Sequence, residues 1–385
     1  MYLISQMNTA KKKKVILITS HLKGRAIAYE WIGLKLKERG YNVLLLHIDN
    51  KESNFEKFIL ETGITYKRIN YSGKNKLEML FTICKLMLEI IKFKPRVVHT
   101  HYFDANLLGL TAAWIMRVPV RVYTRHTTTQ RYRYLKGTRN FEKYFNKIST
   151  SIISISDVVT KVLMDYENVP FNKIKKVHHG FDLSMFSNIN NNRLAAIKEK
   201  YNLNDASIVI GSISRYDEWK GVEYTIEAFK KIVSVFPNAK LILANAGGIR
   251  EDFIRSLLSE LDPRTYIEIP YEDDVFALIN VFDYFVHVPI DSEIEAFGQV
   301  YVEVMAASVP MICTLSGVAE EYVVDRSNAV VVDYQNSEAI YEGLKLLMED
   351  DELKRKIIAQ AKIDIYDKFD VNDMINKLET VYNVK

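Results

Sequence analysis

Short apolar runs, each followed by a loop and then a helical pattern, recur along this chain, and that alternation restricts the fold more than any other feature. Val15–Ser20 (VILITS) reads as a buried strand, Ala28–Arg39 as a helix capped by Gly40, and Val43–Ile48 as the next strand. Strands joined through a helix run parallel, which makes the chain α/β with helices packed on a parallel sheet. The same rhythm continues through residues 96–101 (RVVHTH), 118–124 and 151–156. It resumes with strands at 208–214, 240–244, 266–269, 285–288 and 311–315.

The two series are separated by a polar, Asn-rich stretch at 188–206, and 385 residues are too many for one ordinary core. Two doubly wound domains are the expectation. Their charges differ: residues 1–187 carry 32 Lys/Arg against 14 Asp/Glu, and residues 188–385 carry 20 against 34. A first half at +18 suits an anionic partner such as lipid, a phosphate-bearing acceptor or nucleic acid, whereas the second half stands at −14. No apolar run reaches the ~18–20 residues of a membrane span. Residues 1–14 read as a loose tail without the charge, apolar core and cleavage site of a leader. Cys84 and Cys313 sit in apolar surroundings and read as reduced core thiols, and no clustered Cys/His spacing suggests a metal.

Three stretches carry chemistry. After the 208–214 strand comes Arg215-Tyr-Asp-Glu-Trp-Lys220-Gly221 and then a helix. An Arg fork and a Lys point charge on one strand-to-helix turn suit a diphosphate, although two surface cations would look the same. The second stretch is Asp291–Asp325. A polar loop holding Glu295 runs into a helix expected from about Phe297, with Glu303 inside it, Pro310 ending it and Ser316-Gly317 forming a turn. The N–H groups at such a helix start attract hydroxyl oxygens or phosphate, while Glu303 read alone could be a solvated helix residue. The third comprises His101 and His126, each ending a strand at the carboxyl edge of the first sheet, where open α/β folds bind ligands. Beyond them, residues 131–147 interleave six Lys/Arg with five aromatics around a single Glu, a pattern of anionic membrane surfaces, of nucleic-acid binders or of a plain solvated helix. Residues 77–95 form an amphipathic helix that reads as core-packed.

The run EAFGQVYVEVMAASVP with its glycine turn and Glu320, and the strand–Arg–four residues–Lys-Gly–helix pattern some 80 residues earlier, resemble the two signatures of retaining family-four glycosyltransferases with the GT-B fold (glycosyl transferases group 1). Here Val304 and Ser308 replace the usual alanine and glycine, and Ser316-Gly317 the usual Gly-Gly. His179-Gly-Phe-Asp182 with Phe186 resembles that family's turn into the interdomain linker.

The resemblance implies two Rossmann-like doubly wound domains facing across a cleft. They would be residues 1–187 on the acceptor side and residues 188–367 on the nucleotide-sugar side, with residues 368–385 forming a helix that packs back on the first domain. It implies transfer of a hexosyl or N-acetylhexosaminyl group, with retention, from a UDP- or GDP-sugar to a saccharide or lipid-linked saccharide in cell-surface glycan synthesis. Arg215 and Lys220 would neutralise the leaving diphosphate. Glu303 would meet the ribose, and Glu295 with the backbone of Phe297, Gly298 and Gln299 would hold the sugar. His126 would lie beside the sugar, and Gly24 near donor phosphate. His101, Arg131, Arg133, Lys136 and Arg139 fall on the acceptor or membrane side. No cofactor or metal is required, no nucleic acid is expected, and the place of action is the cytoplasm, at the inner membrane face if the basic surface docks there. A GT-B epimerase or hydrolase is disfavoured by the Phe-Gly signature and the Arg-to-Lys spacing, and a non-catalytic scaffold by the presence of every phosphate and sugar ligand.

Overall fold

The computed structural model describes residues 13–22, 27–129 and 138–383. The chain divides into two compact units, Met1–Phe181 with Val371–Lys385, and Asp182–Asp370.

In the first unit, seven strands, β1 (Lys14–Ser20), β2 (Asn42–Ile48), β3 (Thr65–Ile69), β4 (Val97–His101), β5 (Val120–Arg125), β6 (Ser151–Ser154) and β7 (Ile174–Lys176), form one parallel sheet in the order β3-β2-β1-β4-β5-β6-β7. Ile16 pairs with Leu44 on one side and Val98 on the other, and these residues join Ile18, Leu46 and Leu86 in a common core. Strand order reverses between β1 and β4, which places the ligand-binding crevice at their carboxyl ends. The Lys76–Phe93 helix starts at Asn75, whose side chain accepts from Glu78 N at 2.8 Å, and stops where Lys94 turns left-handed at φ 55°. The Val371–Tyr382 helix belongs to this unit. Val371 N donates to Phe181 O, Arg39 pairs with Glu379 at 2.7 Å, and the Tyr382 hydroxyl meets His99 Nδ1 at 2.7 Å.

In the second unit, β8 (Ile208–Ile213), β9 (Ala239–Ala244), β10 (Tyr266–Ile269), β11 (Tyr284–His287), β12 (Met311–Cys313) and β13 (Val330–Val331) form a parallel sheet in the order β10-β9-β8-β11-β12-β13. Its reversal lies between β8 and β11. The division differs from the expected 187/188 and 367/368. Phe186 packs on Phe276, and its carbonyl accepts from Asn280 Nδ2 at 2.8 Å, while Phe369 packs on Phe297 and Tyr322. These apolar contacts hold residues 182–187 and 368–370 in the second unit. Much of the stretch read as linker is a polar helix, Asn191–Lys200, capped by Asn190 and tied to Asp274 through Arg193 at 2.8 Å.

Among the described residues, no helix is long and apolar enough to cross a membrane. Cys313 is buried on β12, and burial pushes its thiol well up. Cys84 is exposed, contrary to the core position expected of it, because it falls on the outward side of the Lys76–Phe93 helix.

Candidate active site

Both cation positions follow β8, on the near side of the reversal in the second sheet. Arg215 is 62% exposed at its side chain, with Nη2 2.6 Å from buried Asp217 Oδ2 and its guanidinium 5.9 Å from the Trp219 ring centre. The chain then makes one 3-10 turn, Glu218–Lys220, and enters the Val222–Val235 helix through Gly221 at φ 65°. A Cβ at Gly221 would sit 2.2 Å from the Val288 carbonyl oxygen, so only glycine lets this turn lie against the loop that follows β11. Ile290 N donates to Trp219 O at 3.2 Å and fastens the two loops together.

The β11 loop, residues 288–298, is shaped by the segment after β12. Thr314 Oγ1 donates to Pro289 O at 2.6 Å and Ser316 Oγ to Asp291 O at 2.8 Å; Gly317 N donates to Ser292 O, and Val318 N to Phe297 O. Glu295 N in turn donates to Ser316 Oγ at 3.3 Å. The helix starts two residues later than expected, at Gln299, because Gly298 adopts φ 82°; no side chain caps its first N–H groups.

These two loops bring Glu295 onto Lys220. The ammonium donates to Glu295 Oε1, and both side chains are largely buried. Burial alone would raise the Glu295 carboxyl, but Lys220 and, more weakly, Arg215 outweigh it and hold the group below the usual carboxylate range. On its other side His287, the last residue of β11, has Nε2 3.7 Å from the same oxygen. Its Nδ1 lies 3.4 Å from Ser214 Oγ at the end of β8. Burial, aided by the Lys220 charge, pushes the His287 ring down to about 3, so it is neutral. When Ser214 donates to Nδ1, the proton sits on Nε2 and faces Glu295. Sequence reasoning missed His287 and Ser214, although both end strands at the reversal, the same signal that singled out His101 and His126.

Glu303 stands apart from this cluster. It is half-buried, its side chain accepts no hydrogen bond from the described residues, and burial alone pushes its carboxyl up to about 7. A half-buried carboxylate in this state gains when a hydrogen-bond donor reaches it. Phe297 is buried against Phe369, and Gln299 is exposed at the helix start.

In the first unit His101 ends β4 and His126 follows β5, with His101 Nδ1 3.1 Å from His126 Nε2. His126 is stacked between Tyr102, at 4.9 Å, and His179, at 5.5 Å. Behind them His99 is held by Tyr382 and by Thr124 Oγ1, each at 2.7 Å. Burial pushes all four rings down, His99 to about 3 and His179 to about 4, so none carries charge at neutral pH. Arg139 is on the Thr138–Ile148 helix and donates to Tyr166 O at 2.7 Å. Gly24, Arg131, Arg133 and Lys136 lie outside the described residues. Among the described residues no group of three or more His, Cys, Asp or Glu is arranged to hold a metal ion.

Known proteins match both halves of the chain. Residues 195–364 match the profile described as "Glycosyl transferases group 1" and residues 32–185 the one described as "Glycosyltransferase Family 4". The capsular polysaccharide biosynthesis glycosyltransferase CapM of Staphylococcus aureus is 29% identical over 79% of this chain and 80% of its own. The alpha-monoglucosyldiacylglycerol synthase of Acholeplasma laidlawii is 24% identical over 71% of each chain. Anabaena Alr3699/HepE, solved in complex with UDP and glucose, shares the fold with a TM-score of 0.82 over 97% of this chain and all of its own, at 17% identity. A glycosyltransferase from Rickettsia africae superposes with a TM-score of 0.80 at 20% identity, over 96% of this chain and 97% of its own.

Proposed function

The chain belongs to the family-four glycosyltransferases of GT-B fold, and from that premise we propose that it transfers a sugar, with retention of anomeric configuration, from a nucleoside diphosphate sugar to a saccharide or lipid-linked saccharide. The observation that carries this reading is the meeting of Lys220 and Glu295 at the reversal of the second sheet, beside Arg215. One site then holds cations for a diphosphate and a carboxylate for sugar hydroxyls. Arg215 and Lys220 stabilise the negative charge that grows on the leaving diphosphate as its bond to the anomeric carbon breaks. Glu295 and the backbone from Phe297 to Gln299 accept and donate to the sugar hydroxyls, and His287 keeps Glu295 turned toward them. Glu303 accepts from the nucleotide ribose. The acceptor hydroxyl attacks on the face the diphosphate leaves, and its proton passes to the departing phosphate. His126 enters as a contact to the transferred sugar through the family likeness alone. The UDP-bound neighbour makes UDP-sugars the first donors to try, and CapM and the diacylglycerol glycosylating enzyme support a cell-surface glycan or glycolipid product.

A panel of UDP- and GDP-sugars tested by thermal shift should stabilise the protein with one donor well above the rest. That donor's affinity is expected to fall as pH drops through about 7, because protonated Glu303 no longer accepts two hydroxyl donors. Glu303→Gln should bind about tenfold more weakly at pH 8 and lose the pH dependence. A titration whose midpoint persists in Glu303→Gln would end the ribose assignment, and no stabilisation by any donor would end the transferase reading.

Transfer is also expected to survive EDTA, since cationic side chains take the place of a diphosphate-bound metal in this reading. Complete loss on chelation, restored by Mg²⁺ or Mn²⁺, would overturn it. Modest stimulation by a divalent ion carries no weight, because such ions pair with free nucleoside diphosphate.

A further inference from the structure

The rings of His99, His101, His126 and His179 follow one another in the first unit, with neighbouring centres 4.2, 5.4 and 5.5 Å apart. Two of them are bonded directly, His101 Nδ1 to His126 Nε2 at 3.1 Å. Burial keeps both of these rings neutral, so each carries a single ring proton. One nitrogen of the contact must donate and the other accept, and the surroundings of His101 decide which.

His99 offers the contrast. Its Nδ1 meets the Tyr382 hydroxyl and its Nε2 the Thr124 hydroxyl, and a hydroxyl suits either tautomer because it both donates and accepts. His101 lacks that freedom. It is 2% exposed, and among the described residues no hydrogen-bonding group reaches its Nε2. The ring lines a small cavity together with Ile32, Ile153, Val177 and Leu378. A proton on Nε2 would be a buried N–H without an acceptor, and buried donors are orphaned more rarely than buried acceptors. The arrangement of lower cost leaves a lone pair on Nε2 and the proton on Nδ1.

We propose that His101 is a positioning residue that fixes the tautomer of His126. His101 Nδ1–H donates to His126 Nε2, and His126 is left with its own proton on Nδ1. Tyr102 and His179 hold the His126 ring flat between them, so the bond to His101 selects which nitrogen remains for a ligand. The bare nitrogen a base would need is the one His101 occupies. His126 therefore serves as a hydrogen-bond donor to a ligand oxygen and not as a base for an attacking hydroxyl. That this oxygen belongs to the transferred sugar rests on the transferase reading; the tautomer does not.

Long-range proton–nitrogen correlation spectra of protein labelled with nitrogen-15 in its histidines read the tautomer of each ring, with signals assigned through His101→Leu and His126→Gln. At neutral pH the wild type is expected to show His101 and His126 both with the proton on Nδ1, the tautomer that free histidine disfavours. In His101→Leu the His126 signal should move toward the Nε2–H form. In the transfer assay the same variant should raise the donor KM about tenfold with kcat within about threefold, as for one lost binding contact. His101→Asn, whose amide nitrogen can stand near the place of Nδ1, should recover most of that rise. A proton on Nε2 of either ring in the wild type overturns the proposal; on His101 it would mark the Tyr29 ring, with its centre 4.8 Å away, as the acceptor. A His126 tautomer that His101→Leu leaves unchanged overturns it as well. The wild-type spectrum is decisive even where a variant fails to fold. Should no donor be turned over, the transferase reading falls, and the spectra still decide the tautomer.

Discussion

Sugar transfer by Lys220→Ala is expected to fall about 100-fold or more, and by Arg215→Ala on the same order, in line with loss of one preorganised contact to developing charge. For Lys220 the loss has two parts. Among the described residues its ammonium is the one cation bonded to Glu295, and with it gone the carboxylate stays in the same buried pocket with neutral His287 as its neighbour. Burial then weighs more on Glu295, pushes its carboxyl up and favours the protonated acid where a hydroxyl acceptor is needed. The defect should therefore appear in turnover with saturating donor, and it should ease as pH rises and Glu295 ionises again. Arg215 is exposed and bonded to Asp217, so its removal should show the turnover loss without that pH recovery. Near-normal turnover in both variants, with thermal midpoints like the wild type's, would remove the diphosphate assignment.

Replacing Arg125 by Met is expected to destabilise the first unit by about 3–5 kcal/mol, the usual cost of removing one member of a buried ion pair. Arg125 ends β5, is 2% exposed, and bridges Glu142 and Glu167, both buried. Asn146 Nδ2 completes the network by donating to Glu167 Oε2 at 2.6 Å. Met fills much of the space but removes the cation that both buried carboxylates share. Urea unfolding followed by tryptophan fluorescence would report the change. Converting Glu142 and Glu167 to Gln in the same chain should recover part of it, because the side chains then carry no charge for Arg125 to balance. A loss under 1 kcal/mol in the single variant would show that the two acids find other relief.

Most strands that carry site residues could be read from the sequence because they are continuous apolar runs. IVIGSI and YIEI lie where the pattern places β8 and β10. Strands β3, β7 and β13 escaped because TYKRI and IKK are half polar and VV is two residues long. The helix at Glu303 was placed two residues early because only backbone geometry reveals that Gly298 turns left-handed. After it, Gly317–Glu321 forms a 3-10 turn whose neighbours fasten the site loop. Arg215, Lys220 and Glu295 were legible as residue types at family spacing. Their pairing was not, since 75 positions separate Lys220 from Glu295 and only the order β8-β11 brings them together. The exposed apolar side of the Lys76–Phe93 helix, Leu77, Leu80, Phe81, Leu88 and Ile91, escaped for the opposite reason: apolar residues on both sides look like ordinary core until the sheet is seen to cover only one.

If the site binds a nucleoside diphosphate sugar as proposed, the Lys220–Glu295 pair also discriminates among anions. An ammonium that already holds a carboxylate is a poor trap for inorganic phosphate or for a nucleotide without a sugar, because taking it strands Glu295 in a buried pocket. A ligand that offers an anion to one and hydroxyls to the other satisfies both at once. On the proposed reading the pair acts as a coincidence detector, in which each half of the donor is recognised fully only when the other half is present.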